Sequence, residues 1–254
     1  MNLASDDALI LAVSDYSETS QIVTLFTAHN GKLRALAKGS KRPKSPFGGP
    51  IDRLQLVQAV FSVRAPGGLG LLTELAQRET FPGLRANLRN FYAASYAAEL
   101  AIAATPDLDP QPEIFKILAD TLRRLSSTTE SDILLFRFEV RLLGLLGLRP
   151  PLDQCVACHR LREPARGGFF SPPVGGLLCR QCAQLQPDAA GRQPVAFKVA
   201  GKALDALLFL AAAGDDELGR VRLAVATAAD MRRLLAAHWQ YVLDRPLRAA
   251  HWVS

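Results

Sequence analysis

Between residues 8 and 80 apolar and polar positions alternate with a period near two, the spacing of half-buried strands. Ala8–Val13, Thr19–Thr27, the stretch after Asn30-Gly31, Leu54–Arg64 and Leu69–Glu79 predict five short strands. Asn30-Gly31 is the dipeptide favoured by a two-residue type I′ hairpin turn, where both central residues need positive φ. In the strand that follows, Leu33, Ala35 and Ala37 share one face, and Lys32, Arg34 and Lys38 share the other. Gly39–Pro50, GSKRPKSPFGGP, reads as a flexible loop. Val57, Ala59, Phe61 and Val63 line one side of the next strand, and Pro66-Gly67-Gly68 predicts a turn before the last. Five strands in about 75 residues, with a long basic loop between the third and fourth, suggest a small barrel of the OB type. An SH3-like barrel would read almost the same.

After Pro82 the period lengthens to about 3.6. Leu84, Leu88, Phe91, Tyr92, Tyr96 and Leu100 fall on one helical face, and Ile114, Ile117, Leu118 and Leu122 on a second. Aromatics at such spacing are read as core. A third helix is expected from about Ser131 to Leu148, ended by Pro150-Pro151; Glu139 and Arg141 within it fit either a partner-binding face or, the preferred reading, a charge pair at the edge of the core. Helical periodicity returns after Lys198. Leu204, Leu207, Leu208 and Ala211 form one stripe, and Met231, Leu234, Leu235, Trp239 and Val242 form another. These stripes are expected to pack against the middle helices. His238 and His251 lack sequence neighbours that would make them bases or ligands. The predicted class is α+β: a barrel domain over 1–80, a helical domain over 81–152 and 190–254, and a cysteine-bearing insertion over 153–189.

Charge alters this picture in one place. The chain has 254 residues, with 30 Lys and Arg against 24 Asp and Glu, and a formal charge of +6. Lys32, Arg34, Lys38, Lys41, Arg42 and Lys44 fall in a thirteen-residue window without an acid, and the other 24 basic residues balance the 24 acidic ones. Such an excess beside Gly and Pro is the footprint of a polyanion site, against the plainer alternative of a solvated loop. No apolar run approaches the ~18–20 residues of a membrane span. Asp6 and Asp7 stand where a secretory signal would carry Lys or Arg, so a cytoplasmic location is expected.

The cysteines give the sharpest chemical signal. Cys155-x-x-Cys158 and Cys179-x-x-Cys182 use all four in the chain, with twenty residues between the inner pair. Each CxxC turn can aim two thiolates at one point, and four complete the closed tetrahedral shell of a structural zinc ion, one per chain. GGFFSPPVGG between them reads as two short strands joined by a Pro-containing turn, as in a zinc ribbon or treble clef. Disulfides are disfavoured without a secretion signal, and a redox CxxC would not need a duplicate. His159 is a possible alternative ligand, read as a spectator because four cysteines suffice.

Taken together, these segments resemble the RecO proteins of bacterial recombinational DNA repair. The resemblance is carried by Asp15-Tyr16-Ser17-Glu18-Thr19 leading into Ile22–Thr27, by Gly31-Lys32-Leu33-Arg34-Ala35 with Ala37-Lys38-Gly39, and by Gly48-Gly49. It continues through Phe81-Pro82-Gly83-Leu84 and Phe138–Leu143, by way of Gly147, to Cys155-x-x-Cys158. It covers most of residues 8–182. It implies an OB-fold that binds single- and double-stranded DNA, a helical domain, and a zinc module that some members lack. It further implies work with RecR and with the C-terminal tail of single-stranded-DNA-binding protein, and indirectly with RecA. The implied tasks are annealing complementary strands and helping RecA replace the binding protein, in the cytoplasm at the nucleoid, without catalysis.

The residues agree: a basic barrel face contacts phosphates with little dependence on sequence. The stacking platform is thin, with Phe47 in the loop and Phe26 and Phe61 expected to point inward. Alternatives from other classes are a nuclease or ligase-like enzyme built on an OB fold, and a zinc-ribbon transcription factor. Against the enzymes, the sequence has no acidic cluster at adjacent strand ends to hold Mg²⁺, and Gly67-Gly68-Leu69-Gly70 has no following Lys for a P-loop.

Overall fold

The computed structural model describes residues 3–128, 130–185 and 196–253. Five strands close into a barrel: β1 (Leu3–Asp15), β2 (Gln21–Thr27), β3 (Gly31–Ala37), β4 (Leu56–Ser62) and β5 (Leu69–Glu79). The strand order is β1-β2-β3-β5-β4, with β4 returning to β1. β3 and β5 run parallel and the other neighbours antiparallel. That parallel closure makes the barrel OB-type rather than SH3-like. β1 begins five residues earlier than its apolar alternation suggests. Its first half pairs with β4 from Leu3↔Ser62 and its second half with β2, with a bulge between Ile10 and Ala12 that bends it from one partner to the other.

Alternation decides the core. Leu33, Ala35, Ala37, Val57, Ala59 and Phe61 point inward with Ala8, Ile10, Val23, Leu25 and Leu72. Phe26 departs from expectation: it lies on the opposite face of β2, paired with Leu9 in register, and is buried from outside. Phe115 covers it at a ring separation of 6.3 Å. The Asn30-Gly31 turn also differs. Gly31 has φ +70° but Asn30 does not share positive φ, and Thr27 pairs with Gly31 across a three-residue connection. Asn30 instead donates its side-chain amide to Asp6.

Helices α1 (Pro82–Ala86), α2 (Leu88–Ala104) and α3 (Pro112–Leu125) follow. Asn87 between the first two is extended, and its side chain caps α2 by accepting from the backbone of Arg89 and Asn90. That break resets the helical phase. A stripe drawn continuously through Leu84 and Leu88 therefore fails: Leu84 is buried, while Leu88 is 65% exposed and Asn90 lies inside. The chain's last segment, a 3₁₀ turn over Arg248–Trp252, lies on α2, where the Glu99 carboxylate accepts from the backbone N–H groups of Arg248 and Ala249. Trp252 stacks on Tyr92 with ring centroids 4.6 Å apart.

Two compact units result, one of Met1–Ser131 with Leu247–Val253 and one covering Asp132–Pro246. This grouping differs from the sequence-drawn domains in joining α2 and α3 to the barrel, because they cover its outer face. The second unit contains all of α4 (Ser131–Leu145) but its first residue. α4 ends in a Schellman turn with Gly147 at φ +71° and Leu148 N–H donating to Leu143 O, three residues short of the expected end. In the same unit are β6 (Gly168–Ser171), β7 (Gly176–Leu178), α5 (Arg180–Leu185), β8 (Phe197–Val199), α6 (Gly201–Ala212), α7 (Asp215–Leu218) and α8 (Val225–Leu243). Met231, Leu234, Leu235 and Trp239 of α8 are buried as expected. Glu139 does not pair with Arg141; it faces Arg232 of α8 at 3.6 Å, while Arg137 pairs with Asp215. No helix of the described residues is long and apolar enough to cross a membrane.

Candidate nucleic-acid interface and cysteine cluster

The basic window follows the outer face of β3 into the loop beyond it. Strand alternation separates its first members as expected, with Leu33, Ala35 and Ala37 buried and Arg34 and Lys38 exposed. Lys32 is the exception. Residues 105–109 run along the start of β3: Leu108 N–H donates to Lys32 O, and Lys32 bridges Asp107. The Lys32 ammonium donates to the carbonyls of Ile102 (2.7 Å) and Thr105 (2.6 Å) and lies 3.3 Å from the Asp107 carboxylate. Only 12% of its side chain meets solvent. Its charge closes the C-terminal end of α2, where unsatisfied carbonyls favour a cation, and it is not offered to a ligand.

The loop after β3 is more ordered than its Gly, Ser and Pro content suggests. Consecutive turns run through it, from Arg42 N–H to Gly39 O, Ser45 N–H to Arg42 O and Gly48 N–H to Ser45 O. Gln21, buried at the start of β2, holds the loop at both ends: its Oε1 accepts from Ser40 Oγ at 2.9 Å and Ile51 N at 2.8 Å, and its Nε2 donates to Ile51 O. Ser20 Oγ accepts from Gly39 N at 3.0 Å. Ser40 is fully buried. Phe47 is half-buried and packs against the barrel core.

Fixed in this way, Lys38, Arg42 and Lys44 project into solvent, as does Arg34 from the strand. Among the described residues their side chains carry no ion pair. Lys41 is held by Asp15 at 2.8 Å, with 28% of its side chain exposed. Arg34 and Arg64, the latter in the β4–β5 turn, line one small depression together. The window therefore resolves into four open cations, one paired cation and one buried cation. The β1–β2 turn, residues 16–20, is joined to the same loop, since Lys41 N–H donates to Thr19 O. Tyr16 in that turn is 60% exposed. Sequence reasoning passed over it because it belongs to no periodic stripe. Its signal was position, an aromatic in the loop between the first two strands, which OB folds in general use for binding.

In the second unit, the two CxxC turns bring the four sulfurs of Cys155, Cys158, Cys179 and Cys182 within 4.8 Å of one another. Cys158 Sγ and Cys179 Sγ are 3.9 Å apart. Tetrahedral ligands at a metal–sulfur length of about 2.3 Å would stand about 3.8 Å apart, so the geometry fits a metal ion. β6 and β7 form the expected hairpin between the knuckles, with Phe170 opposite Leu177. β8 adds a third strand to it. Burial disfavours the Cys155 thiolate, yet backbone N–H groups of Cys179, Cys158 and Ala157 outweigh this and bring its pKa down to about 6. The neighbouring sulfurs, Cys179 first, push Cys182 up to about 12. Four thiolates this close would repel one another without a cation among them, which is why Cys182 keeps its proton in the metal-free cluster. Among the described residues this is the one group of three or more His, Cys, Asp or Glu side chains placed to hold a metal, and His159 lies outside it.

His238 is buried and donates its Nε2–H to Leu148 O (2.8 Å), edge-on to Phe170. Burial lowers its pKa, so it is an uncharged core residue.

Comparison with known proteins assigns both parts of the chain. The family model described as Recombination protein O N terminal matches residues 1–81, and Recombination protein O C terminal matches 85–251. The chain is similar to the DNA repair protein RecO of Symbiobacterium thermophilum, 32% identical over all of this chain and 98% of that one. It is also similar to the DNA repair proteins RecO of Roseiflexus (31%, covering 96% of this chain and 82% of that one) and Rhodopirellula baltica (36%, covering 70% and 67%).

Proposed function

We infer function from the premise that this chain belongs to the RecO family of DNA repair and recombination proteins. We propose that it binds single- and double-stranded DNA through phosphates, anneals complementary strands, and acts with RecR to load RecA onto DNA coated with single-stranded-DNA-binding protein, whose C-terminal tail it recognises.

The observation that carries the DNA-binding part is the set of four open cations, Arg34 on β3 and Lys38, Arg42 and Lys44 on the loop that Gln21 and Ser20 hold in place. Point charges aimed outward from an ordered surface meet a backbone without reading bases. Leaving base edges free is what annealing requires, because neutralised strands approach without losing their pairing faces. Lys41 stays paired with Asp15 and adds no phosphate contact to these four. Lys32, first grouped with these residues, has a structural role instead.

The role is binding rather than turnover. The cysteine group suits one structural zinc ion per chain, and a shell of four thiolates leaves no open position for substrate. The protein acts in the cytoplasm, at the nucleoid.

Labelled single-stranded and duplex oligonucleotides, with and without Mg²⁺, test the assignment, followed by annealing of complementary strands coated with the binding protein. Binding of unrelated sequences with similar affinity, no cleavage, and faster annealing are expected. Cleavage in Mg²⁺, or preference for one duplex sequence, would replace the reading.

A further inference from the structure

We propose that Tyr16 is a base-stacking residue, which makes the phosphate-binding face prefer single strands over duplex. This rests on the DNA-binding reading above.

The barrel's other aromatics are committed. Phe61 is inside, Phe26 is covered by Phe115, Phe47 packs on the core and Phe81 is buried. Tyr16 alone among the aromatics of residues 3–81 leaves most of its surface in water, at 60%. No other aromatic ring or cation among the described residues covers it.

Its position is built. The turn closes through Tyr16 N–H and Ser17 N–H, both donating to Ser20 O at 3.0 and 3.2 Å, and Ser20 N–H donating to Ser17 O. On one side of Tyr16, the Asp15 carboxylate holds Lys41; further along the turn, the Thr19 carbonyl accepts from the Lys41 backbone. Ser20 and Gln21 then clasp Gly39, Ser40 and Ile51. An exposed ring is thus tied to the open cations through a short series of hydrogen bonds. Lys41 contacts Asp15 and Thr19 on either side of Tyr16, which sets the Tyr16 turn beside the basic loop.

The chemistry follows. A phenol ring has two rotatable bonds, so ordering it against a base costs little, and every base offers a π-face, so stacking is tolerant of sequence. Duplex bases are already stacked on one another and offer no face. Phosphate contacts serve both forms, whereas the ring serves the single strand alone.

The test compares the full-length protein with Tyr16→Ala and Tyr16→Phe, using a labelled oligo-dT strand and a duplex of equal length across a range of salt. Stacking on an aromatic ring contributes about 5- to 150-fold in affinity per base, the equivalent of about 1–3 kcal/mol, and truncation should forfeit it. Tyr16→Ala should lose about that for the single strand and little for the duplex, with the salt slope unchanged because no counterion is involved. Tyr16→Phe should bind within about twofold of the parent. Equal single-strand affinity in parent and Tyr16→Ala, with the parent's salt slope intact, overturns the stacking role and leaves the phosphate face standing. A parallel loss for both DNA forms with a lowered melting temperature overturns it too, by making the residue structural. If the parent binds neither form, both readings fall.

Discussion

Gln21 and Ser40 meet in a buried hydrogen bond, Ser40 Oγ donating to Gln21 Oε1 at 2.9 Å, and the same oxygen accepts the N–H of Ile51. One glutamine at the start of β2 thus holds both ends of the basic loop, and Lys38, Arg42 and Lys44 take their positions from a buried residue.

Gln21→Ala should therefore act at a distance. It leaves the Ser40 hydroxyl and Ile51 N–H buried without their partner, at a cost of about 1–3 kcal/mol each. Melting temperature should fall, and amide exchange at Arg42 and Ser45 should quicken as their turns loosen. DNA affinity should fall with them. Unchanged affinity in a destabilised protein would separate loop order from binding.

Lys32→Met should have the opposite profile to a phosphate-contact mutant. It removes donors from Ile102 O and Thr105 O and the partner of Asp107, so stability should drop by about 1–3 kcal/mol. The salt dependence of DNA binding should stay as in the parent. A flatter salt slope with normal stability would return Lys32 to the DNA-contact set.

Asp6 makes stability depend on acid. Burial opposes its ionisation, but the side chain and backbone of His29 and the amide of Asn30 outweigh burial and hold its pKa below the ordinary value of 3.8. Because the folded pKa is the lower one, the contribution is full above 3.8 and is lost as pH falls through the folded value. Asp6→Asn should be less stable at pH 7 and lose less on acidification, as denaturant unfolding at several pH values would reveal. Parallel stability curves would exclude the effect.

Removal of metal should unfold the cysteine module. Elemental analysis should find one zinc per chain, and Cys179→Ser should lower the melting temperature, because binding energy at such a site is folding energy. Metal-free protein of full stability with four reactive thiols would contradict this.

What could be read from sequence was local. Period-two alternation placed Leu33, Ala35 and Ala37 inside, and the CxxC spacing brought the four sulfurs together, because each depends on residues a few positions apart. What could not be read was long-range. Nothing near Lys32 announces that residues 105–109 will cover it, and nothing in GSKRPKSPFGGP announces that Gln21 will hold that loop. Phe26 was assigned to the wrong side because residues on either face of a strand can be apolar when helices cover the outside of a barrel. Leu88 failed for a smaller reason, an extended Asn87 that interrupts the helical phase.

The most direct test of the central claim, that Arg34, Lys38, Arg42 and Lys44 meet phosphates, is the salt dependence of single-strand affinity. Four contacts at about −0.7 each predict a slope of log affinity on log salt of about −3. Replacing Lys38, Arg42 and Lys44 by Ala should bring it to about −1, uniformly across sequences and with little change in melting temperature. A triple variant that keeps both the parent slope and the parent affinity would contradict the account, and would put the DNA on another face of the protein.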